Sequence, residues 1–565
     1  MDVTLRRQGS QEAQRAIQTV FNPWNRSITV AHLPDDLLAE IFFFLCAPGR
    51  LHRDNDWNWI TITHICRWWR SLALRLASLW SHIYTTDLEY LKTCLQRSRN
   101  CPVKLDIPLR NPESQNWAKE FVEIVLPHMD RIVGFLIFMD EDDVDIITDM
   151  LSNHPFNKAN QIRLGTSGQP RLVTLPPFKD NHPLTWLILQ NFILPWNVPC
   201  FHEHLRLLVL SDQGYIGSGD GRALENLLDM LAQCKRLEYL ALDNFSPRDD
   251  DLPVNANTNL VSRRRLKLPA CLQDFSLDGR IPEDIVHLLP HFDIPATTTV
   301  QLRCFDLDES HTIHGIRDII PSDISGIPHL QHVNSIIMSA EEDVLRINLK
   351  FRSFQTADLT IDLSCGIEEF HPQTGDPLVP DYFPAFEISY FKSLREVFFG
   401  SATITHFSFT GHYVFKEIDS PEWAATFAAF PLLTVVELSQ YPSTQSPQIE
   451  WVECIFDGLQ FPISPFIVDN GNVNPAPTMP MPDIVCPRLT HLWFRSALIE
   501  HKSLAIMESS LRRRSERGTS KLVCMSFIDP RWKGEEEEEG WPGWPNLKPF
   551  VESFDYNLSP QSVPS

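Results

Sequence analysis

Three short segments are the natural candidates for chemistry in this sequence. Cys200, His202 and His204 carry thiol and imidazole groups that zinc accepts, at a spacing that one side of a strand could present. They lack a clear fourth ligand, so a structural loop is favoured. The carboxylates of 140–145 lack the glycine and the twelfth-position glutamate of a calcium loop, and the glycines of 217–221 lack dinucleotide spacing. We therefore expect neither a metal nor another cofactor.

Catalytic motifs are missing from the sequence as well. It contains no Gly-x-Ser-x-Gly, no phosphate-binding Gly-x-x-x-x-Gly-Lys and no His-Glu-x-x-His. A protein that is not an enzyme is favoured, and an active site assembled from distant residues is the open alternative. The net charge of −23 argues against nucleic acid and anionic membranes as partners. The twelve cysteines are scattered singly, as in reduced cytoplasmic or nuclear proteins.

The elements that could position side chains begin with a helical segment near the N-terminus. Pro34 suits a first helical position, and Asp35 and Asp36 place negative charge at the positive end of the helix dipole. A bundle of three short helices buries little apolar surface on its own, so a partner is expected to cover the rest. The three helices are predicted from stripes formed by Leu37, Leu38, Ile41, Phe42 and Leu45, by Ile62, Ile65, Cys66, Trp69, Leu72, Ala73 and Leu76, and by Leu79, Trp80 and Ile83.

Residues 31–85 closely resemble an F-box, through the spaced set Leu-Pro, Ile-Phe, Cys-x-x-Trp and Leu-Trp. The resemblance implies docking on the Skp-family adaptor of a cullin–RING ubiquitin ligase. The link at 47–60 is longer than is usual in the family, and an ordinary N-terminal helical subdomain is the alternative. The adaptor contacts that the resemblance implies are Leu33, Pro34, Leu37, Leu38, Ile41, Phe42, Leu45, Cys66, Trp69, Leu79 and Trp80.

An eight-residue unit recurs after this segment, with apolar residues at its first, fourth and sixth positions and a small or polar residue at its eighth. Clear copies start at Leu184, Leu205 and Leu237. The unit resembles a leucine-rich repeat, in which each copy adds one parallel strand to a curved sheet. Weaker copies start, at uneven intervals, at Leu272, Leu302, Val333, Leu394, Leu433, Leu489 and Leu522.

Helical patterns separate several of these copies. Helices are predicted from Ala223, from Pro282 and from Ser420, and strands that alternate with helices favour a parallel sheet. The expected fold class is α/β, an F-box bundle followed by an irregular leucine-rich-repeat-like solenoid; a doubly wound α/β domain or several small α/β units are the alternatives. The predicted organisation is a tail at 1–30, the F-box at 31–85, the solenoid at 86–530 and an acidic tail at 531–565.

Positions between the apolar residues of each unit should face away from the core and form an exposed sheet face. Aromatic residues among carboxylates suit a protein partner with a basic segment. The chain is thus expected to be a substrate receptor of a ubiquitin ligase that binds an unknown protein, with a scaffold that delivers no substrate as the alternative. The candidate substrate-binding residues are Trp186, Tyr239, Asp243, Asp274, Asp278, Asp306, Asp308, Glu396, Phe398, Glu437, His491, Trp493 and Arg495.

Overall fold

The computed structural model divides the chain into two compact units, and each is treated by itself. The first contains 1–169 and 173–186, and the second contains 170–172 and 187–565. The fold is mixed α/β, with mostly parallel β-sheet. The structure describes residues 33–46, 60–108, 116–154, 158–167, 171–172, 184–193, 204–212, 223–244, 264–279, 282–307, 315–321, 324–341, 346–365, 383–398, 403–411, 415, 417–440, 451–460, 485–499, 501–528, 531–532 and 544–557.

The first unit begins with the predicted helical segment. Helices α1 (Asp35–Cys46), α2 (Ile62–Ile65) and α3 (Arg67–Arg75) are followed by a 3-10 turn at Ala77–Trp80. The stripe predicted as one second helix is therefore two helices. They separate at Cys66, whose extended backbone lets its Sγ accept a hydrogen bond from the Trp69 amide at 3.4 Å and cap α3.

A four-stranded parallel sheet completes the first unit. It contains β1 (His82–Tyr84), β2 (Val103–Ile107), β3 (Ile132–Met139) and β4 (Gln161–Thr166), paired in chain order through β3 and β4. Ile83 thus lies in a strand, where the sequence suggested the end of a third helix. Residues 33–108 belong to the same compact unit as this sheet, so the boundary at residue 85 stays a prediction. The helices beside the sheet are α4 (Leu88–Arg97), α5 (Trp117–Val125) and α6 (Val144–Asn153).

The second unit is built on a long sheet, whose described pairs run in the order β6, β7, β8, β9, β12, β11, β10, β13, β14, β15, β16, β17. All of these pairs are parallel except those of β11, which is antiparallel to both neighbours. The strands, with β5 before them, are β5 (Trp186–Gln190), β6 (Leu207–Ser211), β7 (Tyr239–Asp243), β8 (Asp274–Gly279), β9 (Thr299–Leu307), β10 (Ser335–Glu341), β11 (Arg346–Arg352), β12 (Leu359–Cys365), β13 (His406–Gly411), β14 (Val435–Gln440), β15 (His491–Arg495), β16 (Leu522–Ile528) and β17 (Val551–Asn557).

Helices connect many of these strands, as the alternating pattern predicted. All three predicted helix starts are confirmed, at Ala223, Pro282 and Ser420; Asp419 caps the last by accepting the Glu422 amide at 3.1 Å. The described helices are α7 (Ala223–Leu231), α8 (Pro282–Leu288), α9 (Pro328–Gln331), α10 (Phe383–Val397), α11 (Ser420–Ala429), α12 (Trp451–Gly458), α13 (His501–Glu516) and α14 (Trp544–Leu547). Three pairs of two-residue strands flank the sheet, Arg171–Leu172 with Phe192–Ile193, Leu266–Lys267 with Phe292–Asp293, and Leu498–Ile499 with Arg531–Trp532.

Backbone conformation explains why the eighth position of the repeat unit holds a small or polar residue. Asn191, Asp212 and Asn244 follow β5, β6 and β7 with φ of 59°, 52° and 48°, and Ser496 follows β15 with φ of 57°. Each of the first three donates its amide to the next strand's end; the Asn244 amide, for example, reaches the Asp278 carbonyl at 2.7 Å. Short polar residues tolerate this left-handed conformation, so they end the strands.

Two copies of the unit were predicted incorrectly. The copy from Leu394 is wrong, because 383–397 form helix α10. The copy from Leu302 is shifted, because Leu302 pairs with Leu277, the sixth position of the preceding copy. The register also shifts between Cys304 and Leu307. This irregularity breaks the strict alternation of the strand, so the i, i+3 spacing of the unit could not give the register.

The predicted C-terminal tail is also partly wrong. Val551–Asn557 form β17, which pairs in parallel with β16, and the Phe554 ring lies 5.8 Å from that of Phe527. Leu547 and Val551 are buried. The tail was predicted from the glutamate run and the aromatic residues around it, and the apolar residues that follow were not used. The predicted N-terminal tail, 1–30, lies outside the described residues.

Candidate functional site

An exposed apolar stripe runs along helix α1. Leu37, Ile41 and Phe44 lie at i, i+4 and i+7 and are 52%, 40% and 58% exposed. On the same helix Leu38 and Phe42 have no exposed surface. Because residues four and seven apart share one helix face, α1 is apolar on two sides, and only one of them is buried within its own unit.

Contacts on the buried side fix the orientation of α1. The Phe42 ring packs edge-on against Trp69 of α3, with centroids 5.2 Å apart. At the start of the helix Asp35 accepts a hydrogen bond from Trp68 Nε1 at 3.2 Å and forms an ion pair with Arg75 at 3.0 Å. These polar contacts are exposed and contribute little stability, but together with the ring packing they hold the stripe outward.

Exposed apolar side chains are concentrated in this part of the chain. Ile65 of α2 and Leu74 of α3 are 57% and 38% exposed. With the stripe, they account for five of the nine large hydrophobic side chains that are exposed among the described residues, all within 37–74. Single exposed apolar residues are ordinary on protein surfaces, but a concentration in one short segment indicates an interaction surface.

The structure sorts the eleven predicted adaptor contacts by exposure. Pro34, Leu37 and Ile41 are exposed. Trp80 instead donates its indole N–H to the Ala73 carbonyl at 3.0 Å, and Arg97 lies 4.3 Å over its ring. The half-buried residues of the set are Leu33, Leu45, Cys66 and Trp69, and the buried ones, which support the helices from inside, are Leu38, Phe42, Leu79 and Trp80.

Sequence reasoning missed three exposed residues of this surface. Phe44, Ile65 and Leu74 were not among the predicted contacts, although Phe44 continues the line of Leu37 and Ile41 by one further helix turn. That spacing was a usable signal for Phe44. Ile65 could not have been sorted in the same way, because the break at Cys66 changes which residues share a face.

A second candidate surface is the outward face of the sheet in the second unit. On each strand, residues between the buried apolar positions point to this face, as Tyr239 and Asp243 do beside buried Leu240 and Leu242. One row of residues lies in register across the sheet, and it is predominantly polar. The row contains Ser211, Asp243, Asp278, Arg303, Asp362, Asn348, Ser339, Thr410, Ser439 and Arg495.

Asp278 is the most buried carboxylate of this row. Its Oδ1 accepts the Ser276 hydroxyl at 2.8 Å, and its Oδ2 pairs with Arg303 at 3.3 Å. Arg303 is held in turn by a 2.7 Å hydrogen bond to Gln301 Oε1. Burial raises the pKa of Asp278, against the lowering effect of the serine hydrogen bond and the guanidinium.

Asp243, its neighbour in register, lacks an equivalent cation. Burial, followed by the charges of Asp278 and Asp212, raises the pKa of Asp243 from 3.8 to about 6. Asp212 Oδ1 accepts a hydrogen bond from the side-chain Nδ2 of Asn244 at 3.0 Å. This end of the face therefore carries closely spaced carboxylates whose charges repel each other.

Strands β14 and β15 place a different set on the same face. Glu437 lies directly opposite Trp493 in the register of the two strands. The His491 ring meets Trp493 edge-on, with centroids 6.2 Å apart, and its Nδ1 lies 2.9 Å from the Thr490 hydroxyl. On β13, which pairs with β14, His406 has a lowered pKa because burial outweighs the charge of Glu437. This part of the face combines an aromatic surface with a carboxylate.

The predicted substrate-binding residues divide accordingly. Those that the structure brings to the outward face of the second unit are Tyr239, Asp243, Asp274, Asp278, Glu437, His491, Trp493 and Arg495. Trp186, 41% exposed at the start of β5, is assigned to the first unit. Asp308 lies outside the described residues, and Asp306 lies in β9, where its side chain is not described.

Two predicted residues are not on the face at all. Glu396 lies in helix α10, and Phe398 follows that helix and is buried against Phe351, with centroids 5.5 Å apart. Conversely, Gln301, Arg303 and Asp362 are on the face and were missed. The shifted register of β9 concealed the first two, and no repeat copy had been recognised at β12.

The remaining observations concern other kinds of site. Among the described residues, no three His, Cys, Asp or Glu side chains are grouped to hold a metal ion. Of the Cys200–His204 set, only His204 is described, and 217–221 lie outside the described residues. No helix in the described ranges has the length and apolar character needed to cross a membrane. The chain matches no family model and no curated protein. Functional inference therefore depends on the two surfaces.

Proposed function

We propose that this chain is the substrate receptor of a Skp–cullin–F-box type ubiquitin ligase. The observation that carries the proposal is the exposed stripe Leu37, Ile41 and Phe44, on a helix that begins at the Leu-Pro pair of the F-box-like pattern. In this proposal the stripe docks on a Skp-family adaptor. The outward face of the second unit holds a protein substrate.

The energetics of the stripe suit a stable interface. Full burial of one large apolar side chain is worth about 1.5–3 kcal/mol, and the stripe offers three that are each about half exposed. Because the other side of α1 is fixed against Trp69, docking requires little reordering of the helix. A preorganised apolar helix face is the feature expected of a helix that inserts into a groove.

The proposal for the second unit is a leucine-rich-repeat-like solenoid. Support comes from the mostly parallel strands that lie side by side, the helices between many of them, and the left-handed residue after several strands. Departures from a regular solenoid are the antiparallel β11 and the exchanged order of β10 to β12. A long open sheet face of this kind supplies area for a protein partner.

The receptor contributes position and supplies no catalytic group in this proposal. It holds the substrate near a ubiquitin-charged conjugating enzyme, so that transfer between two bound proteins becomes effectively unimolecular. A scaffold that binds the adaptor without delivering a substrate is the alternative. Adaptor-dependent ubiquitylation of a co-purified protein separates the two, since the scaffold binds the adaptor and yields no modified protein.

The test is a pull-down of the full chain with purified Skp-family adaptor. We expect Leu37→Ser with Ile41→Ser to weaken binding about tenfold or more, because the lost apolar burial exceeds 1.4 kcal/mol. Val523→Ser is the matched control: Val523 is 40% exposed, as is Ile41, but lies in β16 of the second unit. Binding that survives in the stripe variant, or no binding by the unaltered chain, contradicts the proposal.

A variant at a buried position distinguishes a loss of docking from a loss of folding. Trp80→Ala removes a fully packed ring and its hydrogen bond to Ala73, and we expect it to lower the free energy of unfolding by about 3–5 kcal/mol. The stripe variant should leave that free energy nearly unchanged, because its side chains are already exposed. Denaturation curves of both variants check this; equal destabilisation would show that the stripe is part of the core.

A further inference from the structure

The carboxylates in the middle of the outward face are paired with cations of the same sheet. Arg303 pairs with Asp278 at 3.3 Å and Arg346 with Asp362 at 3.2 Å, while Lys350 and Arg352 share Asp358 at 2.8 and 3.8 Å. These pairs lie between β8 and β11, where the antiparallel strand β11 supplies three of the four cations. Charges that are already paired offer little attraction to a partner.

Each side of this paired region carries an aromatic residue beside a carboxylate that has no lysine or arginine partner among the described residues. Tyr239 lies directly opposite Asp274 in the register of β7 and β8, and Glu437 lies directly opposite Trp493. Among the described residues, neither Asp274 nor Glu437 forms an ion pair with a lysine or arginine.

An aromatic ring next to a carboxylate suits a cationic side chain. The ring face attracts a guanidinium or ammonium group, and the carboxylate accepts its N–H donors in a charge-assisted hydrogen bond. Arginine satisfies both partners at once, because its planar group stacks while its edge donates. The two pairs thus each form a receptor for one basic residue.

The register fixes the separation of the two pairs. Seven strand steps lead from β7 to β14 along the described order. At about 4.8 Å per step this is roughly 34 Å along the sheet, which an extended chain at about 3.4 Å per residue covers in about ten residues. A single compact basic cluster cannot reach both pairs.

We propose that the face binds an extended segment with basic residues about ten positions apart, one at each aromatic–carboxylate pair. The inference rests on the proposed function, because the segment belongs to the substrate that the receptor holds. In this proposal, the residues that link the two basic positions cross the region of ion pairs without specific contacts. Because the two weak contacts belong to one segment, the segment binds more tightly than either basic residue would alone.

Fluorescence anisotropy with labelled synthetic peptides tests this. One Gly/Ser peptide carries one arginine near each end, ten residues apart; the other has the same composition with the two arginines adjacent. We expect the full chain to bind the spaced peptide about tenfold or more tightly than the clustered one. Asp274→Asn with Glu437→Gln should remove that preference. Glu120→Gln with Glu123→Gln, in α5 of the first unit, makes the same change of charge and should preserve it.

Three results would overturn the inference: no binding of either peptide, equal binding of both, or equal loss in the two double variants, which would indicate general charge attraction. Adaptor binding measured on the same preparations separates this failure from that of the proposed function. A chain that binds the adaptor and not the spaced peptide remains a receptor with another substrate class. A chain that binds the spaced peptide and not the adaptor keeps the basic-segment site and loses the ligase role.

Discussion

Asp243 shows how burial and neighbouring charge combine at one residue. Its pKa is raised to about 6 in the folded chain from an unfolded value of 3.8, so the folded state binds the proton more tightly. For a carboxyl group with a raised pKa, stability is gained as pH falls through about 6 and is missing at neutral pH. The ionised group therefore destabilises the second unit under ordinary conditions.

Asp243→Asn should remove this cost. We expect the variant to be about 1 kcal/mol more stable than the parent at pH 8, after allowance for solvent screening of a partly exposed group. The advantage should shrink at pH 6, where about half of the parent molecules are already protonated. Urea denaturation at both pH values measures it. An equal advantage at both values, or a loss at pH 8, contradicts the assigned electrostatics.

The residue types predicted part of the candidate site, but they did not predict which of its side chains are exposed and which are buried. The resemblance to an F-box implied that Leu37 and Ile41 are contacts, but it implied the same for buried Leu38 and Phe42, because α1 is apolar on two sides. Only packing against Trp69 decides which side remains exposed. Arg303 gave no signal in the sequence, since its role depends on a register that the local pattern does not determine.

Several strands end at a residue whose backbone is in the left-handed region. Asn244, with φ of 48°, donates from its side chain to Asp212 at 3.0 Å. Asn244→Val should cost about 1–2 kcal/mol, because a β-branched residue is strained in the left-handed region. Asn244→Gly should cost less, since it loses the hydrogen bond and fits the conformation. Thermal denaturation compares them; a glycine variant as unstable as the valine variant contradicts this explanation.

The local pattern was sufficient for strands that follow the unit and failed where another periodicity fits. β6, β7, β8, β14 and β15 match their copies. The copy predicted from Leu394 is wrong because its i, i+3 spacing also suits a helix. Buried Phe386, Tyr390 and Phe391 continue that helical stripe. β13 was missed although Ile404, Phe407, Phe409 and Gly411 fit the unit. Antiparallel β11 was unpredictable, because alternation does not reveal strand direction.

At the scale of the whole molecule, the two surfaces lie in different compact units. The apolar stripe belongs to the first unit, and the outward face with its carboxylates belongs to the second. The two surfaces also differ in chemistry, since one is an exposed apolar stripe and the other carries carboxylates beside aromatic residues. Variants of one surface should therefore leave binding at the other intact, which is the arrangement that a receptor bridging adaptor and substrate requires.

Hydrogen–deuterium exchange of the full chain is the most direct test of adaptor docking through helix α1. We predict that purified Skp-family adaptor slows amide exchange in peptides that cover 33–46 and 60–76, because docking suppresses local opening of these helices. Peptides from α10 and α11 should exchange at unchanged rates. Unchanged exchange throughout 33–76 at saturating adaptor, or protection confined to the second unit, would contradict the account.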